Sequence, residues 1–433
     1  VTAREQLAVI ISDYNRDTET LECIDSVLSS EGFDKDTLRI YVVENACLEK
    51  TCNDSLKLPK DENIILISSQ IDLGSSGGLN LGIDLAMRDG YKYICCLGEM
   101  ITVEPHALRI MLDYLIDNPD TGLAGAKIYH KHMPHYIQQF GTSLDFKNYR
   151  ASTLFADTYD NGDIPDVVYC DAVGSCGMMV TALAVEKAGL MPEENFLYWD
   201  DMEWGYRIKK SGFKVVALGN AVLYHNASPL HRHDNTKVNY YMTRNCINFF
   251  MKYTPKEKCA GMSLDILESV FESFYLHQMG QAHNMAQTDL SALNDAIYGI
   301  YGKADTNRIL PNDETGLLFV NFFEEHECIY MEEDDPFLEQ VIRQINPDII
   351  FLSQPKRDAV TVLRCDSILG IRDFSYALDF SEDVVYIDNN YRLLATREDA
   401  RLVKNYESSL RLFQYAMQPM MLRRISQMRG IEF

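Results

Sequence analysis

The sequence predicts an α/β fold: a mostly parallel sheet flanked by helices, then a helical stretch and a small α/β module. Short apolar runs of strand length alternate with helix-spaced stretches through the N-terminal half. The runs break at polar residues, among them Tyr14-Asn15-Arg16, Glu44-Asn45 and Gly98-Glu99. The pattern changes from Pro255 onward, where longer amphipathic spacing takes over. In parallel sheets ligands bind beyond the carboxyl ends of the strands, so the three polar breaks would collect on one edge.

The elements follow in order. Leu7-Ala8-Val9-Ile10-Ile11-Ser12 reads as a buried strand, and Asp17 to Ser29 as a helix with Leu21, Ile24, Val27 and Leu28 inward. Leu38 to Val43, Asn63 to Ile67 and Tyr91 to Leu97 are three further strands. Between the last two, Asp72-Leu73-Gly74-Ser75-Ser76-Gly77-Gly78-Leu79-Asn80-Leu81-Gly82 leads into a helix through Met87. Those glycines serve a tight turn and close helix packing, or bring backbone amides to a phosphate at a helix start. They fit neither G-x-G-x-x-G nor a P-loop. Val215 to Leu218 and Ala221 to His225 read as two more strands.

Chemistry concentrates in Tyr198-Trp199-Asp200-Asp201-Met202-Glu203-Trp204-Gly205-Tyr206-Arg207, which holds three carboxylates and both tryptophans of the chain. A helix from here runs out at Gly212, placing Asp200 and Asp201 at its N-terminus. Unpaired N–H groups and the helix dipole favour negative charge there, so N-capping beside a buried aromatic is the structural alternative to catalysis.

Composition narrows the function classes. The chain has 433 residues, 46% hydrophobic, with net charge -24. That charge excludes a nucleic-acid partner of the usual basic kind. An anionic ligand must then be held by local charge, a metal or backbone amides. Eleven cysteines show no CxxC, which reads as a reduced, cytoplasmic protein. No apolar run reaches the roughly 18–20 residues of a bilayer span.

The ordered set Ile10-Ile11-Ser12-Asp13-Tyr14-Asn15-Arg16, Val42-Val43-Glu44-Asn45, Asp72-x-Gly74-x-x-Gly77-Gly78-x-Asn80-x-Gly82, Val103-Glu104-Pro105, Gly125-Ala126-Lys127-Ile128 and Trp199-Asp200-Asp201 resembles family-2 glycosyltransferases. The rhamnosyltransferase-like and galactofuranosyltransferase-like members look nearest. The resemblance implies a GT-A fold for a domain at 1–254; beyond it no family is recognised, and the apolar pattern alone reads as a helical connector at 255–304 and a small α/β and helical module at 305–433. It also implies inverting transfer of a sugar from a UDP- or dTDP-sugar to a hydroxyl of a glycan or lipid-linked glycan acceptor, in cell-surface polysaccharide synthesis.

By the same resemblance, Tyr14, Asn15, Arg16, Glu44, Asn45, Gly74, Gly78, Asn80 and Glu99 line the donor. Glu44 takes the place of an acidic residue that accepts the imide N–H of uracil or thymine. Asp201 matches the general base and Asp200 its neighbour that helps place the acceptor. Trp199 stacks on sugar or packs in the core, and Gly174 and Ser175 flank the acceptor cleft. Glu203 and Arg207, spaced i, i+4, read as structural support. His225 ends a strand where the family carries a histidine that can ligate Mg²⁺ or Mn²⁺. The loop His231-Arg232-His233, or Arg244, would stand near the same edge.

One motif is absent. The family's Asp-x-Asp falls at Gly98-Glu99-Met100, counted back from Pro105. Met100 is a poor ligand for hard cations. Four explanations stay open: weak metal binding through Glu99 and His225, charge neutralisation by Arg or Lys, loss of catalysis with retention of binding, or alteration of an active parent. A catalytically impaired sugar-nucleotide binder is therefore the alternative function, and assembly through the C-terminal module a third.

In the second half, Leu264 to Met285 reads as one amphipathic helix. Leu317 to Phe323, Ile349 to Leu352, Thr361 to Leu363 and Val384 to Ile387 read as strands, with helices at Pro336 to Gln344 and Glu398 to Leu412. Glu332-Glu333-Asp334-Asp335 reads as a solvated acidic loop. Met417 to Arg429 is rich in methionine and arginine, and suits peripheral contact with a membrane surface, a partner, or the capping of the last domain.

Overall fold

The computed structural model describes residues 6–14, 16–46, 58–226, 235–279, 282–313, 318–356, 359–365, 369, 384–389, 393–394 and 397–433. Asn15 and His231-Arg232-His233 lie outside the described residues. The chain divides into two compact units: Val1–Phe146, Arg150–Ser228 and Tyr301–Lys303 form the first, and Lys147–Tyr149, Pro229–Ile300 and Ala304–Phe433 the second.

The first unit is built on strands β1 (Leu7–Asp13), β2 (Leu38–Glu44), β3 (Ile64–Ser68), β4 (Tyr93–Gly98), β5 (Ile101–Val103), β6 (Thr121–His130), β7 (Met133–Gln139), β8 (Thr142–Asp145), β9 (Arg150–Thr153), β10 (Val167–Tyr169), β11 (Gly177–Thr181) and β12 (Lys214–His225). Ten of them form one mixed sheet in the order β10-β12-β6-β11-β4-β1-β2-β3, with β5 on β12 and β7 on β6. Strands β3, β2, β1 and β4 run parallel. Strand β11 is antiparallel to both of its neighbours, β4 and β6. Strands β8 and β9 make a separate ribbon.

Helices α1 (Asp17–Leu28), α2 (Gly74–Arg88), α3 (Ala107–Asp117), α4 (Ala182–Ala188) and α5 (Asp200–Lys210) cover the sheet. In β1, Val9 and Ile11 join one core with Ile24 of α1 and Met111 of α3. Ala8 and Ile10 join the other with Ile83 of α2, Val185 of α4 and Trp204 of α5. Burial on both faces explains why the parallel strands read as continuous apolar runs. This is the mixed, mostly parallel, GT-A-like architecture expected.

In the second unit, α6 (Thr236–Tyr253), α7 (Cys259–Met279) and α8 (His283–Tyr298) are followed by α9 (Leu318–Glu325), α10 (Pro336–Ile345) and α11 (Arg397–Arg429). Strands β13 (Cys328–Met331), β14 (Ile350–Phe351), β15 (Val360–Arg364), β16 (Val384–Ile387) and β17 (Leu393–Leu394) form a small sheet in the order β14-β13-β15-β16-β17, parallel except for β17. The sequence reading drew a boundary after residue 254; by contacts α6 groups with the second unit.

Four element readings need correction. Of Leu317 to Phe323, expected as a strand, Leu317 lies outside the described residues and the rest falls on α9, which buries Phe319 and Phe323 at i, i+4. A short apolar run does not distinguish the two states. The single helix expected over Leu264 to Met285 is two, α7 ending at Met279 and α8 beginning at His283. The two strands expected before and at His225 are one, β12, whose register slips between Leu218 and Val222. The last helix runs on past Leu412 through Pro419 to Arg429.

Candidate active site

The carboxyl ends of the parallel strands bring the polar breaks together. Asp13 ends β1 directly opposite Glu44 of β2, and Ser12 lies opposite Gly98 of β4. Asp13 is buried and accepts from the Thr20 hydroxyl at 2.6 Å and the Arg16 N–H at 3.2 Å. Glu44 is also buried and accepts from the Ser68 hydroxyl at 2.7 Å. Tyr14 and Arg16 are exposed at this edge.

Asn45 ties the edge to the glycine stretch. Its Oδ1 accepts from the Leu73 N–H at 2.8 Å and its Nδ2 donates to the Gly74 carbonyl at 2.9 Å. Gly74 has φ +69, and a Cβ there would fall 2.1 Å from the Phe196 carbonyl oxygen. At Gly78 a Cβ would fall 2.6 Å from Ser12 Oγ. Both glycines are thus required for close packing at the start of α2. Asn80 spends its amide on Met191 and Glu193: Nδ2 donates to the Met191 carbonyl and Glu193 Oε1, and Oδ1 accepts from the Met191 N–H. It braces the segment before α5 from below.

That segment is strained. Phe196, Tyr198 and Trp199 all have φ near +60, a region non-glycine residues seldom occupy. Trp199 is 3% exposed and forms the N-cap of α5, so its indole packs inward; Tyr198 is the exposed aromatic. The Ser75 N–H donates to the Phe196 carbonyl at 2.8 Å, joining the start of α2 to the strained turn.

Asp200 and Asp201 open α5. Asp201 is half-buried; its Oδ1 accepts from the Met202 N–H at 2.8 Å and its Oδ2 from the Ser175 N–H at 3.2 Å. Burial pushes its carboxyl above the usual range. Asp200 is fully buried. Burial and then the Asp201 charge push it up to about 7, against the Ser75 hydroxyl and backbone N–H groups that favour its ionised form. Among the described residues its Oδ2 has no hydrogen-bond partner.

Gly174 and Ser175 lead into β11, and Gly174 packs on the Gln139 amide. The Gly98 N–H donates to the Cys176 carbonyl at 3.2 Å. A continuous circuit of contacts therefore runs from Asn45 through Gly74, Ser75 and the aspartate pair to Ser175, Cys176 and Gly98.

Glu99 follows Gly98, with Oε1 3.6 Å from Arg16 Nε. Burial raises its carboxyl, Asp13 adds to the rise, and Arg16 opposes it. His225 ends β12 opposite Ile101, and its Nδ1 is paired with Gln138 Oε1 at 2.8 Å. Among the described residues no three His, Cys, Asp or Glu side chains gather as a metal site. With Glu99 turned to a guanidinium and the flanking positions Gly98 and Met100, the described residues do not form a protein-made Mg²⁺ or Mn²⁺ site.

The sequence reading did not name Asp13, Ser68 or Ser75 as site residues, although Asp13 and Ser75 stand inside the stretches it quoted. It also placed 301–303 in a connector. In the structure Tyr301–Lys303 belongs to the first unit: the Gly302 N–H donates to the Glu194 carbonyl, and Lys303 Nζ sits 3.0 Å from Asp72 Oδ2.

At one edge of a helix-flanked mixed sheet, a carboxylate pair thus stands beside a glycine-built helix start. Residues 4–247 match the family model described as "Glycosyltransferase like family 2", more than half the chain, and the chain belongs to that family. Its fold is similar to that of GalNAc-T7 crystallised with UDP, GalNAc and Mn²⁺ (TM-score 0.46, 10% identity, 61% of this chain and 51% of that one). It is also similar to S. aureus TarS (0.41, 13%, 68% and 49%) and to TarS 1–349 with UDP-GlcNAc (0.43, 12%, 68% and 81%). The chain spans about half the length of the first two. A search of curated proteins found no match.

Proposed function

We propose that the chain is an inverting glycosyltransferase that moves a sugar of the hexosyl, rhamnosyl or galactofuranosyl class from a UDP- or dTDP-sugar to a hydroxyl of a glycan acceptor, in cell-surface polysaccharide synthesis. The contact of Asp201 with Ser175, in the circuit that also holds Gly98 and Asn45, carries this reading. It sets a partly accessible carboxylate against the segment that enters β11 beside the donor edge.

In this reading the nucleotide lies along the carboxyl ends of β1 and β2. Glu44, held by Ser68, accepts the imide N–H of the base, and Tyr14, Arg16 and Asn45 border the ribose and diphosphate. Asp201 takes the proton from the acceptor hydroxyl as that oxygen bonds to the anomeric carbon. The bond to the diphosphate breaks on the opposite face, inverting the centre, and the proton passes from Asp201 to water. Two adjacent carboxylates in one buried site resist carrying two charges, so Asp200 keeps a proton and leaves the negative charge on Asp201. Tyr198, exposed before the pair, is the aromatic available to the acceptor.

Release of nucleoside diphosphate, followed over a panel of UDP- and dTDP-sugars with Mn²⁺ or with a chelator, tests the reading. Turnover with at least one donor is expected. Donor binding without release under every condition gives the assignment to the alternative, a catalytically impaired sugar-nucleotide binder.

A further inference from the structure

Helix α11 has two unlike faces. Tyr406, Leu410, Met421 and Ile425 are buried. On that side Gln414 Nε2 donates to the Leu264 carbonyl and Gln418 Nε2 to the Ala260 carbonyl, both at 3.1 Å, seating the helix on α7. The other face carries Arg411, Leu412, Tyr415, Pro419 and Arg423 at spacings of one to four residues, all exposed. Leu412 is 73% and Tyr415 85% exposed. Arg411 and Arg423 form no ion pair with the described residues. From Ser408 to Ile431 there is no Asp or Glu and there are four arginines, in a chain whose net charge is -24.

We propose that this face docks on an anionic lipid bilayer, with the helix lying flat in the headgroup layer. A strongly acidic chain is repelled by such a surface except where acids have been cleared, and α11 is cleared of them from Ser408, one residue after Glu407, to its end. Leu412 and Tyr415 enter the acyl boundary, where an amphipathic ring is favoured. Arg411 and Arg423, about 18 Å apart along the axis at 1.5 Å per residue, reach lipid phosphates from its two ends. A second copy of the chain is the less suited occupant, because a two-fold contact through this face would bring its arginines together.

Flotation of the full chain with phosphatidylcholine vesicles, with and without phosphatidylglycerol, tests this. The chain should float with the anionic vesicles alone and be released by raised salt. Arg411→Glu with Arg423→Glu, and separately Tyr415→Asp, should each lower the bound fraction about tenfold. Unchanged melting and donor turnover would show that these variants remain folded. Absence of flotation with anionic vesicles, equal flotation with neutral ones, or undiminished flotation of the variants overturns the proposal. So does self-association by light scattering that Tyr415→Asp abolishes, which gives the face to a second copy.

Discussion

Asp200 sits at a helix start, buried, with one carboxyl oxygen left without a partner among the described residues and a second carboxylate next in sequence. Its carboxyl lies near 7 in the folded chain against about 4 in an unfolded one. The folded state then holds a proton the unfolded state has lost, so stability falls as pH rises from about 4 to 7 and levels off above that. Asp200→Asn removes the ionisation. Its melting temperature should therefore match the parent near pH 4, exceed it increasingly up to about pH 7, and keep that margin above, by calorimetry. Since Asp201 is raised too, the acid limb of the rate profile should lie above the ordinary carboxylate range. The sequence showed the pair and its place at a helix start. It could not show which carboxyl is enclosed, because Trp199 turning inward at φ +63 decides that, and Trp199 had looked equally suited to stacking on sugar.

Helix α2 shows what an element adds to its residues. Its glycines had two readings, packing and phosphate approach; the structure fills Gly74 and Gly78 with close neighbours. Gly74→Ala should cost on the order of 1–3 kcal/mol, from the positive φ and the Phe196 carbonyl, read as a lowered denaturation midpoint. Because Asn45 and Ser75 hold the same turn, donor affinity should fall with it. The strands of the first unit were legible because burial on both faces leaves an uninterrupted apolar signature. The α9 segment was not, because Phe319 and Phe323 satisfy a helical spacing inside a run that is short and apolar throughout.

Across the whole chain, the sheet order could not be read from sequence. Nothing local tells β11 to enter antiparallel between β4 and β6, yet that insertion carries Ser175 to Asp201. The return of Tyr301–Lys303 to the first unit was equally hidden, being a contact across more than a hundred residues. Cys23, Cys95 and Cys96 are buried in the two cores, and burial raises each thiol, Cys96 to about 12. Native alkylation read by mass spectrometry should leave these three unmodified until the chain is denatured. Among the described residues no helix is long and apolar enough to cross a membrane.

Asp201→Asn is the most direct test of the transfer chemistry. Donor affinity by calorimetry should stay within about twofold of the parent, while nucleoside diphosphate release falls at least about tenfold. Unchanged release in that variant, with the donor still bound, would take the base away from Asp201 and contradict the account.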